Sequence, residues 1–237
     1  MSAGAAGIIL AAIERGKGGV RELLGRAMLW RVGIGWWAFA LLFTAFISVS
    51  TLILFNLFSG QQVGLNGVVP WYKVLSMMII LIIFAGFGEE FGWRGFLLPR
   101  LQNRHTALTA SLIIGALHAL WHLPKFFIAG ETQYSWVQEA GFLLPFLGYA
   151  IFVTAWAIQF TWVFNNTKGS VLLAAVVHGA GNAWIGGYFD IHGRTGMTGN
   201  LILTALMAIV SIGIIIFAGP ANLSRSRERQ KLVLEKS

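Results

Sequence analysis

Long apolar runs, cut by short polar stretches, set the pattern of this chain. Residues 36–58 carry no charge, and 71–88 follow with only Lys73 near the start. Further apolar runs cover 106–128, 142–164, 169–189 and 200–218. A membrane-spanning helix needs about 20 apolar residues, so the pattern predicts an all-α, polytopic membrane helix bundle with about six transmembrane helices. Residues 8–29 differ, because Ile, Leu and Val alternate there with Arg15, Lys17, Arg21 and Arg26. That mixture predicts an amphipathic helix lying in the membrane interface. The apolar start is too short to span, and its basic residues follow the run instead of preceding it, the wrong order for a signal peptide. The expected organisation is an interfacial segment over 1–31, one transmembrane domain over 32–220 and a basic tail over 221–237. No internal repeat is visible.

Composition sharpens this picture. Only 11% of the 237 residues are charged and 57% are hydrophobic, against roughly 25% charged in an average soluble domain. Seven charges fall in residues 1–31 and seven in 225–237, leaving 12 for everything between. A soluble globular enzyme, a disordered chain and a nucleic-acid binder are excluded despite the net charge of +8. The absence of cysteine removes disulfides, thiolate metal sites and a cysteine nucleophile. Asp190 is the one aspartate, so a mechanism built on an Asp pair is removed too. The 10 Trp and 18 Phe read mainly as lipid-facing, with Trp36, Trp37 and Trp71 as interface anchors.

The basic residues also orient the chain. Those before the first span, those between the second and third, Lys168 and those of the tail fall on one side. Only Lys73, Lys125 and Arg194 fall on the other. The positive-inside rule then predicts a cell membrane protein with both termini cytoplasmic, and membrane lipids as partners of the basic segments. The short chain without a targeting segment is expected to be prokaryotic.

Some polar residues inside the spans have no structural excuse. Glu89 and Glu90 end the second run, His118 and His122 lie in the third span, and His178 and Asn182 lie in the fifth. Ionisable groups in hydrocarbon cost about 2.5–3.5 kcal/mol each on insertion scales, so they face a bundle interior and mark function. His118 and His122 are four apart, as are His178 and Asn182, so each pair shares one helix face. Glu90 and Arg94 have the spacing and order of a helical ion pair. Glu89 points about 100° away from Glu90 and is left for chemistry. It lies 16 residues before His105, in the turn, and His122 lies 17 after it, so the two should face each other across a helical hairpin. A continuous helix from 71 to 103 would exceed the hydrocarbon thickness, and it must tilt, bend near Pro99 or protrude. Glycines at 86, 88, 92, 95, 179 and 181 would let neighbouring helices approach closely.

Elimination narrows the chemistry. Ser111, Ser170 and Ser211 lack the surroundings of a serine nucleophile, and residues 118–122 read His-Ala-Leu-Trp-His, without the Glu of a His-Glu-x-x-His zinc protease. A Glu general base near neutral histidines remains, with or without a metal.

At this point the chain resembles the CPBP membrane proteases (CAAX proteases and bacteriocin-processing enzymes, also called the Abi family), which include type II CAAX prenyl endopeptidases. The family's Glu-Glu-x-x-x-Arg motif matches Glu89, Glu90 and Arg94. Its Phe-x-x-x-His motif matches at His122, with His118 at the Phe position, and its His-x-x-x-Asn motif matches His178 and Asn182. The resemblance spans about 70–220, with the motifs in family order. It implies an intramembrane endopeptidase in which Glu89 and His122 activate water while His178 and Asn182 bind the oxyanion. Glu90, Arg94 and His118 are then supporting residues. If a divalent metal such as zinc is used, Glu89, His118, His122 and His178 are its candidate ligands. The implied substrate is a membrane-associated or lipidated, CAAX-type peptide; oligomeric state is not indicated. Two alternatives stay open: a proton- or ion-coupled transporter, and a non-catalytic scaffold or immunity protein of the same family.

Overall fold

The computed structural model describes residues 2–224, and they form an all-α bundle of eight helices without strands. The tail expected at 221–237 lies, from residue 225 on, outside the described residues. Five helices are long and apolar enough to cross a membrane: α2 (Ile34–Ser59), α3 (Lys73–Gln102), α4 (Ala107–His122, extended by a 3-10 turn to Phe126), α6 (Leu143–Asn166) and α8 (Ile191–Ala218). The chain is thus a polytopic membrane helix bundle.

Three expectations are corrected in detail. The fifth expected span, 169–189, is α7 (Val171–Asn182) with a π-helical continuation, Ala183–Tyr188. Its 12 α-helical residues are too few to cross about 30 Å of hydrocarbon. It sits instead inside the bundle, with every residue from Leu173 to Gly181 buried. A helix enclosed by other helices needs no lipid-facing surface, so it tolerates His, Asn and glycines. The second span does not stop at Gly88, because Glu90 and Arg94 neutralise each other inside the bundle and the helix runs on to Gln102. The helix expected at the interface, α1 (Ala3–Gly25), begins earlier than residue 8 and breaks at Arg15–Gly16, where Gly16 takes φ +58°. That is left-handed backbone, which glycine adopts freely.

α3 is irregular before Pro99. Two π-helical stretches, Ile82–Phe87 and Phe91–Leu97, flank a single α-helical turn at Gly88–Glu90. Such wide turns concentrate at functional sites. Glycines let neighbours come close there. A Cβ on Gly86 would lie 2.5 Å from the Ala175 carbonyl, and Gly179 meets Ile82 in the same way. Residue numbers fall along α3 as they rise along α7, so the two helices run antiparallel. On the opposite side α1 seats on α3, where a Cβ on Gly4 would lie 2.6 Å from the Gly88 carbonyl and one on Gly7 would lie 2.8 Å from Gly92 Cα.

The main core joins α2, α6, α7 and α8 through Leu52, Phe160, Leu173 and Met207. α5 (Thr132–Ala140) closes one end: Glu139 accepts from Met197 N–H at 3.0 Å where α8 is interrupted at Gly196 (φ +55°). At the other end, Ser170 donates to the Leu29 carbonyl and Ala107 N–H donates to the Ala221 carbonyl. Asn166 of α6 donates to the Leu223 carbonyl, so residues 29 and 221 lie at one end of the bundle.

Candidate active site

The site is assembled from α3, α4, α6 and α7. Glu90 is fully buried and accepts two hydrogen bonds from Arg94 Nη1, at 2.9 and 3.1 Å. The guanidinium also lies over the Phe160 ring at 4.0 Å, a cation–π contact within the bundle. His178 Nδ1 lies 2.8 Å from Glu90 Oε1. Side chains on a helix lean toward its N-terminus, which carries the His178 ring toward Glu90 on the antiparallel α3. One carboxylate thus serves an arginine on its own helix and a histidine on another. The expected Glu90–Arg94 pair is present, and Glu90 does more than neutralise Arg94.

Glu89 points to a different set of partners. Its Oε2 accepts from Trp93 Nε1 at 3.2 Å and lies 3.4 Å from His118 Nε2. The Trp93 and His118 rings stack with centroids 5.4 Å apart and planes 17° off parallel. The Glu89 side chain keeps 19% of its surface exposed while that of Glu90 keeps none, so only one of the adjacent carboxylates is open to another molecule.

His118 makes the contact with Glu89 that the hairpin count assigned to His122. The count took His105 as the pivot, whereas the helices end at Gln102 and restart at Ala107. Measured from those ends, Glu89 is level with Leu120, midway between the two histidines. The wide π turn at Phe91–Leu97 packs more residues into each unit of length, which draws Glu89 further toward His118. His122 adjoins it, with ring centroids 4.8 Å apart, and packs on Tyr149 of α6. His122 Nδ1 lies 3.1 Å from the His118 carbonyl. A carbonyl can only accept, so Nδ1 carries the proton and Nε2 presents a lone pair.

Asn182 lies one turn beyond His178 on the same face of α7, half-buried, and its side chain makes no hydrogen bond among the described residues. The structure therefore joins the candidates as two groups of three: Glu89 with His118 and His122, and Glu90 with Arg94 and His178. Among the described residues no group of three or more His, Asp or Glu side chains converges at ligand spacing. Glu89, His118, His122 and His178 do not fit a metal-binding set, and no step below is routed through a metal.

Sequence reasoning missed Trp93, Tyr149 and Phe160; Trp93 and Phe160 fall among the Trp and Phe that read mainly as lipid-facing. Trp93 was findable, because it stands four residues after Glu89, as Arg94 does after Glu90. Tyr149 and Phe160 carried no such signal, since α6 is apolar on every side.

Residues 70–184 match the family described as "Type II CAAX prenyl endopeptidase Rce1-like", a stretch that contains every candidate residue from Glu89 to Asn182. Over 101 residues the chain is 29% identical to a protein named "CAAX prenyl protease 2" from Methanococcus maripaludis. That match covers 43% of this chain and 36% of the relative, so the chain accounts for about a third of that protein's length. With three motifs in order on α3, α4 and α7, residues 70–184 resemble Rce1-like type II CAAX prenyl endopeptidases.

Proposed function

We propose that this protein is an intramembrane endopeptidase that hydrolyses a peptide bond in lipidated, CAAX-type or other membrane-associated peptides. One observation carries the reading. Of two adjacent carboxylates in a membrane bundle, Glu90 is sealed by Arg94 and His178, while Glu89 remains open beside histidines.

Glu89 Oε2 is held by Trp93, which leaves Oε1 to accept a proton from water. His122, with its proton on Nδ1, offers Nε2 as an acceptor that orients the same water. The hydroxide attacks the scissile carbonyl carbon and the carbonyl oxygen becomes an oxyanion. Asn182 donates to it from Nδ2. His178, whose Nδ1–H is directed at Glu90, donates from Nε2 as an imidazolium, with its charge facing the Glu90 carboxylate. Glu89 then passes its proton to the leaving amine as the C–N bond breaks. Losing one oxyanion donor typically costs about 100–1000-fold in rate. The reading puts the protein in a cell membrane with both termini cytoplasmic and cleavage near the cytoplasmic face, as the distribution of basic residues supports.

The test is hydrolysis of an internally quenched, prenylated CAAX peptide by the purified protein in nanodiscs. Cleavage by wild type, with Glu89→Gln and His178→Ala inactive but folded, supports the reading. Wild type that cleaves neither this peptide nor its unprenylated form, or a Glu89→Gln variant as active as wild type, overturns it.

A further inference from the structure

α1 has two unlike sides. Its inner side (Gly4, Gly7, Ala11, Leu23) is buried, with Gly4 and Gly7 seated on α3. Its outer side leaves Ile13 and Leu24 at 74% and 44% exposure, and Met28, at the end of the 3-10 turn Arg26–Met28 that follows α1, is 73% exposed. Along that side runs a groove of about 820 Å³ whose apolar lining includes Ala12, Val20, Leu24 and Met28, with Lys17 and Arg21 also on it.

The charges around the groove are not equivalent. Glu14 is paired with Arg100, and Glu22 with Arg15 and Arg26. Both acids of α1 are thereby occupied by other arginines. Lys17 and Arg21 are exposed and have no acidic partner among the described residues. They are four apart and so project from one face of the second arm of α1. An apolar floor under two unneutralised cations, in a helix of mixed apolar and basic character, matches a molecule with a hydrocarbon chain and an anionic head.

We propose that the outer groove of α1 binds an anionic phospholipid, with an acyl chain along Val20, Leu24 and Met28 and the phosphodiester between Lys17 and Arg21. A zwitterionic lipid supplies the same chain, but its headgroup cation opposes those two residues. The discrimination is therefore electrostatic. α1 lies outside residues 70–184, and the proposal does not depend on the catalytic reading.

The test is native mass spectrometry of the full chain in detergent, titrated with phosphatidylglycerol or with phosphatidylcholine of the same acyl chains. Wild type should retain phosphatidylglycerol roughly 10- to 30-fold more tightly, as expected for about 1 kcal/mol per basic residue. Lys17→Gln with Arg21→Gln should erase the preference and leave phosphatidylcholine retention unchanged, which also reports an intact fold. Lys17→Arg with Arg21→Lys should keep it. Each single Gln variant should lose part of the preference, so the proposal stays testable if the double variant misfolds. Equal retention of the two lipids by wild type overturns the proposal. So does a folded double Gln variant with the full preference, because the anionic lipid would then bind elsewhere.

Discussion

Nδ1 of His178 lies 2.8 Å from Oε1 of Glu90, although 88 residues separate them. The contact ties α7 to α3 through the carboxylate that Arg94 also holds. It makes Glu90 the link between Arg94 on its own helix and His178 on α7. Glu89, the residue before it on α3, shares none of these partners and faces His118 of α4. Adjacent identical residues thus divide two tasks by the 100° between successive helical positions.

That division predicts different consequences for the two glutamates. Glu89→Gln removes the proton acceptor and nothing else, so it should abolish peptide hydrolysis with thermal stability in detergent close to wild type. Glu90→Ala leaves Arg94 as a buried, uncompensated charge, a loss that costs about 3–5 kcal/mol in comparable pairs. It should lower the unfolding temperature sharply as well as activity. Two variants of equal stability would argue against the structural role of Glu90.

Trp93 holds Glu89 Oε2 through a hydrogen bond to a charged acceptor, an interaction worth about 1.5–3 kcal/mol. Trp93→Phe keeps an aromatic ring against His118 and removes the N–H. The expected result is a fall in kcat of about tenfold or more with KM little changed, since each 1.4 kcal/mol is a factor of ten. An equal change in KM alone would mean that Trp93 serves substrate binding instead.

His118 stands where the family motif has Phe, and its ring stacks on Trp93 as a Phe would. His118→Phe should therefore keep hydrolysis within about tenfold of wild type, the range of one modest hydrogen bond. His122→Ala should abolish it. Complete loss of activity in a folded His118→Phe variant would show that the Nε2 contact with Glu89 is indispensable.

Much of this was legible in the sequence. Four apolar runs became α2, α4, α6 and α8 with ends moved by a few residues, save for the early start of α8, because uncharged 20-residue stretches have few other stable forms in a membrane. The paired Glu90 and Arg94 were readable from their spacing. The fifth run looked like an ordinary span because periodicity reports how apolar a helix is, not whether lipid or protein surrounds it. The Glu89–His118 contact was hidden for another reason: equidistance along a hairpin assumes constant rise, and the π turns of α3 break that assumption. The bend at Gly16 was equally hidden, since one glycine among several in α1 carries no mark of its left-handed backbone.

Close approach of α3 and α7 is what brings His178 within reach of Glu90. A Cβ at Gly86 would meet the Ala175 carbonyl at 2.5 Å, backbone against a rigid neighbour. Gly86→Val should separate the helices by a fraction of an ångström to an ångström. Misplacements of about 1 Å can cost about 100-fold in rate. Gly213→Ala on α8, where nothing lies within 4 Å, should leave hydrolysis unchanged. Equal activity in both variants would disconnect the α3–α7 seam from catalysis.

The strut behind α3 makes the last prediction. α1 lies outside the family match, yet Gly4 and Gly7 seat it against Gly88 and Gly92, the glycines that bracket Glu89 and Glu90. A side chain at Gly7 would meet Phe91 O at 2.9 Å and Gly92 Cα at 2.8 Å, so Gly7→Leu must push α1 off the turn that carries both carboxylates. Because α1 touches no reacting atom, its effect passes through the position of that turn. kcat should fall while KM for the peptide holds, and the unfolding temperature should drop with the lost packing. Gly18→Ala, in the same helix but with nothing within 4 Å, should match wild type in all three measurements. A Gly7→Leu variant with wild-type kcat would mean that the α3 turn holds its shape unaided, and that α1 serves only the membrane surface.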